Sequence, residues 1–415
     1  MRAGPENLTN QEAPMSAFEL LHIQLSNALP NMHLTRLTAL CTAVVAGLSG
    51  AQMCITELGR FLTSSTHIKH NIKRMDRLMG NAHLYRERQT IYGAMARAIL
   101  KNIAKPIITI DWSDLCPNQQ FHVIRASLPV GGRALTIFEI VYPREKLGNR
   151  QVQHDFLNSL QAFLTPDQTP IIVADSGFRV PFFRHVESLG WHWVGRIRNR
   201  DYVCFSQENG YISAKSLYAQ ATAEASHLGA VSWTQTGQLA ALLALIKTPK
   251  KFRELKTKQN QKSQAGHSKK QALREDEPWL LVFSNSLQDH SAQQIIKIYS
   301  TRMQIEENFR DTKSQHYGLG ICQLNRIGLL RRSNLLLIAA LTQWLLWLTG
   351  SLLHEGVMEK QFRVNSSSKR KPYSSVFLAR QLLKLGLLLP DFLSPARFID
   401  AMEKIHGYQN KVFSG

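Results

Sequence analysis

The chain reads as a multidomain α/β protein, a mixed sheet flanked by helical N- and C-terminal regions. Three observations predict this. From about residue 17 to 100 the apolar residues recur at helical spacing. From Pro106 the texture changes to β-branched and aromatic runs bounded by turn signals. Further apolar strands then interleave with helical patterns before helices return near the C-terminus.

Residues 1–14 carry turn-formers and no apolar period, which predicts a loose tail and makes Met15 a second candidate start beside Met1. In residues 15–100, Leu34, Leu37, Leu40, Val44, Val45 and Leu48 mark one helix, and Ile55 and Leu58 mark a short one. A turn at Thr63-Ser64-Ser65 follows, where a serine can cap a new helix. Ile68, Ile72, Met75 and Met79 then form an apolar stripe, with Lys69, Lys73, Arg74 and Arg77 facing away from it. A short helix, a turn and a basic amphipathic helix suit a helix-turn-helix entering a DNA groove. The same pattern also suits an ordinary solvated basic face on a helical bundle.

Residues 101–200 and 286–355 form the predicted sheet core. PIITIDWS, QFHVIRASL and RALTIFEIVYP read as three neighbouring strands, followed by a helix over 154–163, the buried strand PIIVAD, a helix over 181–189 and the aromatic strand WHWVGRI. Residues 201–285 read as a β-rich basic insertion, in which 247–274 hold ten Lys or Arg against one acid, Glu254. A run so one-sided fits a neighbouring phosphate backbone better than a solubilising loop. After WLLVFS, one long helix is expected over 292–315. The apolar segment 335–353 is interrupted by Thr342, Gln343 and Thr349, so it reads as a buried core helix rather than a membrane span. Residues 356–415 are helical again around a Ser-rich, basic break, SSSKRKPYSS.

A 415-residue chain with 44% hydrophobic residues fills a sizeable core, which excludes a disordered tail. Fifty Lys and Arg against thirty Asp and Glu leave a formal charge of +20, which attracts phosphate polyanions and makes nucleic acid the first partner to expect. The five cysteines are scattered without a CxxC pair or a zinc-ligand spacing, as in a reduced compartment. The polar, Pro-containing start lacks the features of a secretory signal, so a cytoplasmic, nucleoid-associated protein is expected.

Two aspartates end buried apolar runs: Asp111 after Ile107-Ile108-Thr109-Ile110, and Asp175 after Ile171-Ile172-Val173-Ala174. A carboxylate leaving the core is costly unless a cation or donor receives it, although a single such Asp often only opens a turn. At about 100° per residue, Tyr299, Arg302, Glu306 and Lys313 fall within about 60° on one helical stripe, while Glu307 points elsewhere. Alone, that stripe would be a solvated face laced with salt bridges. With the two strand-end aspartates, Glu306 completes an all-oxygen set suited to two Mg²⁺ ions roughly 4 Å apart, with Mn²⁺ as a substitute. Arg302 and Lys313 beside it suit DNA phosphates.

IDWSDL around Asp111, IIVADSGFRVPFF around Asp175 and, above all, IYSTRMQIEENFRDTKSQHYGLG carry a family likeness. The chain resembles the DDE cut-and-paste transposases of bacterial insertion sequences, the insertion-sequence four group, and within it the transposon ten type, from Met15 onward. Tyr299, Arg302, Glu306 and Lys313 reproduce the group's signature of Tyr, two residues, Arg, three residues, Glu, six residues, Lys.

The resemblance implies an RNase H-like catalytic core interrupted by the β-rich insertion, an N-terminal DNA-binding domain and an oligomerising C-terminal region. It implies Mg²⁺-dependent cleavage at transposon ends, a hairpin intermediate and strand transfer into target DNA by a homodimer holding two double-stranded ends. Asp111, Asp175 and Glu306 would be the catalytic metal ligands, with Tyr299, Arg302 and Lys313 positioning phosphates and end nucleotides. Trp279 would stack a flipped base, unless it is only a core tryptophan at a strand start. Two rivals share these features in part: an RNase H-like nuclease that cuts without joining, and a DNA-binding repressor that has lost the chemistry. The intact acid set argues against the second.

Overall fold

The computed structural model describes residues 16–116, 118–206, 208, 210–249, 261, 264–266, 276–321, 327–353, 373–386 and 395–413. The tail at 1–14, most of the basic run 247–274 and most of the Ser-rich break lie outside the described residues.

Among the described residues ten strands form one mixed sheet, in the order β3-β2-β1-β4-β5-β10-β9-β8-β6-β7. The strands named from sequence are β1 (Ile107–Asp114), β2 (Phe121–Pro129), β3 (Ala134–Pro143), β4 (Ile171–Ala174), β5 (His192–Ile197) and β10 (Trp279–Phe283). Residues 201–246 supply β6 (Tyr202–Cys204), β7 (Ile212–Ser213), β8 (Ser226–Trp233) and β9 (Leu239–Ile246). β1, β4 and β5 run parallel, whereas β5 with β10, β10 with β9 and β9 with β8 are antiparallel. A mixed sheet flanked by helices is the RNase H-like arrangement expected from sequence.

The chain divides into two compact units, the first made of Met1–Asn102, Trp112–Leu147 and Glu306–Tyr408, the second of Ile103–Asp111, Gly148–Ile305 and Gln409–Gly415. In the second unit, strand alternation decides which helix covers which face. Trp193 of β5 packs on Phe183 of α7 (Val180–Ser188), with α6 (Arg150–Gln161) alongside. Val194, pointing the other way, joins Ile171, Val173, Leu281 and Phe283 against Ile295, Ile298 and Tyr299 of α8 (Ala292–Ser300).

In the first unit, α1 (Ala17–Ala28), α2 (Leu34–Leu48), α3 (Ile55–Arg60), α4 (Ile68–Met79) and α5 (Ala82–Leu100) pack with α10 (Leu329–Leu353), α11 (Ser375–Lys384) and much of α12 (Pro395–Phe413). Helix α10 is the apolar segment noted in the sequence. It is long and apolar enough to cross a membrane, yet its apolar stretch is 94% buried inside the protein, as a core helix is.

Three local expectations are corrected. No serine caps α4; His67 occupies the N-cap without a side-chain bond, and Ser64 instead accepts from the Thr66 N–H. The buried side of α4 is Asn71, Met75, Leu78 and Met79, whereas Ile68 in its first turn is 53% exposed. The helix expected over 292–315 is two helices, α8 and α9 (Met303–Lys313). At the junction the backbone switches to three-residue hydrogen bonds: Thr301 to Ile298, Arg302 to Tyr299, Gln304 to Thr301 and Ile305 to Arg302. The Thr301 hydroxyl donates to the Ile298 carbonyl at 2.7 Å and holds the tightened turn. Tyr299 therefore sits in the core of the second unit, 3% exposed, and shares no continuous stripe with Glu306.

Candidate active site

In the second unit, Ile110 of β1 pairs with Ala174 of β4 in parallel register. Asp111 and Asp175 are the next residues on these neighbouring strands, whose backbones lie about 4.8 Å apart. Asp175 lies just beyond the carboxyl end of β4, where ligand sites of open α/β sheets form, whereas β1 continues through Asp111 to Asp114, which corrects the strand end expected there. Asp111 receives the Arg302 guanidinium, Nη1 to Oδ2 at 3.3 Å, with side-chain exposures of 17% and 12%. Asp175 turns one oxygen, Oδ1, back to accept the Gly177 N–H at 2.8 Å. This is the turn-opening role open to any strand-end aspartate, and it occupies one oxygen.

Tyr299, buried on α8, is near enough to Asp175 and Arg302 to feel both charges. Burial pushes its hydroxyl above the ordinary range, Arg302 and Arg196 draw it down, and the Asp175 charge adds to the rise. Trp279, half-buried at the start of β10, meets the Tyr299 ring edge-on, with centroids 5.2 Å apart.

Residues that sequence reasoning missed complete the surroundings. Arg196 stands two residues from Val194 in β5, on the same strand face, and Arg198 follows just past the end of the strand. Arg196 donates to the carbonyls of Glu277 and Pro278 at 3.3 and 3.4 Å, and burial lowers its proton affinity. The Nε atoms of both arginines, the Tyr218 hydroxyl and Glu277 Oε2 are buried without a hydrogen-bond partner. Gly195 pairs with Ala174, so Arg196 and Asp175 are the next residues on neighbouring strands, and a guanidinium with a buried donor there suits an incoming phosphate. The period-two R-I-R was the available signal.

In the first unit, Glu306 is exposed in the first turn of α9. Lys313, at the end of the same helix, donates to Ser113 Oγ at 2.8 Å and to the Asp114 carbonyl at 3.2 Å, two and three residues beyond Asp111 in sequence. His122 of β2 fixes the Asp114 carboxylate at 2.8 Å. Among the described residues no group of three or more His, Cys, Asp or Glu side chains is gathered to hold a metal. Asp111 and Asp175 are the two neighbouring hard-oxygen donors, and that donor type suits Mg²⁺ or Mn²⁺.

The profile of the transposase DDE domain matches residues 102–343, more than half of the chain. The chain belongs to that family. No curated protein matches it. The DDE domain spans β1 to β10 and α6 to α9, so Asp111, Asp175 and Glu306 fall inside it. It gives the protein a transposase function, and the family works on DNA.

Outside the DDE domain, Lys69, Lys73, Arg74 and Arg77 of α4 are all exposed. Helices α3 and α4 cross closely, since a Cβ on Gly59 would stand 2.6 Å from the Ile72 Cα. Asp76 is paired with Arg331 of α10, and Asn334 of α10 donates to the carbonyls of Met79 and Asn81 at 2.9 and 3.1 Å. The basic face is thus mounted on a core helix. Replacing Lys73 and Arg74 with Ala is expected to weaken binding to element ends and lower the slope of log K against log salt by about 2, measured by fluorescence anisotropy across a salt series. An unchanged slope would place DNA contact elsewhere.

Proposed function

We propose that this transposase is a metal-dependent cut-and-paste enzyme of the insertion-sequence four type, using Asp111, Asp175 and Glu306 as its acid triad. The observation that carries the reading is the β1/β4 register, which puts two aspartates at successive positions of neighbouring strands inside a DDE domain. The signature Tyr299, Arg302, Glu306 and Lys313 supports Glu306 as the third acid. These carboxylates would hold two Mg²⁺ ions, which when bound supply Lewis-acid stabilisation of in-line phosphoryl displacement.

The chain's own groups do the rest. Arg302 neutralises Asp111 and stands ready for a DNA phosphate, with Arg196 and Arg198 lining the same neighbourhood. Lys313, anchored on Ser113, offers a positive charge to the terminal nucleotides. Trp279, backed by Tyr299, presents an aromatic surface for a base extruded during hairpin formation. Residues 15–100, with the α4 face, recognise the ends, and 356–415 contribute to a homodimer that holds two ends together.

Incubating the protein with labelled element ends and Mg²⁺, then offering pre-cleaved ends with a target duplex, tests the reading. Expected are cut ends, hairpin products and joined target DNA. Cutting without joining would identify an RNase H-like nuclease, and binding without either would identify a repressor.

A further inference from the structure

The side of α9 opposite Glu306 is held by a closed set of buried hydrogen bonds. Counting about 100° per residue from Glu306, Lys313 returns to within about 20°, whereas Asn308 and Thr312 lie about 160° and 120° away. Asn308 and Thr312 are 3% and 1% exposed. Arg125 of β2, also 1% exposed, donates from Nη1 to Asn308 Oδ1 at 2.5 Å and to Thr312 Oγ1 at 3.0 Å.

Each partner is itself fixed. The rest of the Arg125 guanidinium rests on Glu139 Oε2 of β3 at 2.6 and 2.8 Å, and Tyr92 of α5 donates to Glu139 Oε1 at 2.9 Å. Thr136 donates to Asn308 Oδ1 at 3.1 Å, while Gln343 of α10 accepts from Asn308 Nδ2 at 3.2 Å and donates to Thr312 Oγ1 at 3.0 Å. The guanidinium also covers the Phe309 ring at 4.5 Å.

Stability alone does not account for this arrangement, because a buried ion pair can often be replaced by apolar side chains without loss. Directional bonds do what an apolar seam does not: they select one rotation of the helix about its axis. We propose that Arg125, Asn308 and Thr312 are positioning residues that set the rotation of α9, and with it the direction of the Glu306 carboxylate and the Lys313 ammonium. This rests on the reading of Glu306 as a metal ligand.

The test uses full-length Asn308→Leu, Thr312→Val and Thr312→Ser. Readouts are Mn²⁺ binding to the complex with pre-cleaved ends, followed by electron paramagnetic resonance, the Mg²⁺ concentration for half-maximal cleavage, end binding and melting temperature. Asn308→Leu and Thr312→Val are expected to weaken Mn²⁺ binding and raise the Mg²⁺ requirement about 10-fold or more, the scale of lost support behind a metal ligand. End binding should stay unchanged, and Thr312→Ser, which keeps the hydroxyl, should stay near wild type. Unchanged metal dependence in Thr312→Val overturns the proposal, even should Asn308→Leu fail to fold. Glu306→Gln separates the two readings: wild-type cleavage in it removes the metal-ligand assignment itself, whereas its inactivity beside metal-insensitive Thr312→Val removes the positioning role alone.

Discussion

Glu306→Gln, Asp111→Asn and Asp175→Asn are each expected to reduce cleavage of element ends by at least about 1,000-fold, equivalent to about 4 kcal/mol of barrier. Each exchange keeps the shape of the side chain and removes one negative oxygen from a set whose task is to hold two divalent cations against a polyanion. End binding, measured by mobility shift, is expected to stay within a few-fold of wild type, because recognition is assigned to the α4 face and not to the acids. Glu307→Gln is the internal control: Glu307 pairs with Arg310, and with Arg133 at 3.5 Å, so its loss should leave cleavage within about 10-fold. Equal effects at 306 and 307 would mean that general acidity, not a ligand set, supports cleavage. Loss of binding together with cleavage in the triad variants would move these residues from chemistry to structure.

The two aspartates were legible because each follows a buried run, Ile107–Ile110 and Ile171–Ala174, a pattern that needs no partner strand to be seen, although β1 continues past Asp111 to Asp114. Their adjacency was not, since parallel register joins residues 64 apart in the chain, Ile110 with Ala174. Periodicity also overreached at one place. A constant 100° per residue drew Tyr299 and Glu306 onto one stripe, but the Thr301 hydroxyl and the three-residue bonds around it reset the helix between them. Hydrophobicity alone does not signal such a break, since both sides remain helical. At α4 the error was of another kind: Ile68 and Ile72 look like core on composition, yet the buried side there takes Asn71, whose Oδ1 accepts from the Thr66 hydroxyl at 2.8 Å.

Arg125 was hidden for a related reason. In QFHVIRASL, an arginine between apolar neighbours reads as the solvent-facing member of an alternating strand, but β2 is buried along nearly its whole length. Its charge is answered by Glu139, directly opposite in the β2/β3 register, and by groups on α9 that no strand pattern reveals. Similarly, Thr342 and Gln343, which distinguish α10 from a membrane span in the sequence, are buried at 0% and 3% exposure. Gln343 is a working member of the same set of bonds.

Breaking the Arg125–Glu139 pair from one side is therefore expected to have the largest effect on folding. Arg125→Met leaves the Glu139 carboxyl at 3% exposure with, among the described residues, the Tyr92 hydroxyl to answer it, and should cost about 3–5 kcal/mol in urea-induced unfolding. Glu139→Leu strands the guanidinium instead and should cost a similar amount. The double variant Arg125→Met/Glu139→Leu is expected to recover much of that loss, because neither charge then remains buried alone. Recovery would show a strongly negative coupling in the cycle, whereas additive losses would mean that the two side chains stabilise the fold independently. Cleavage should not recover with stability in the double variant, since Asn308 and Thr312 still lack the donor that Arg125 supplied. Recovery of both would assign Arg125 to packing alone.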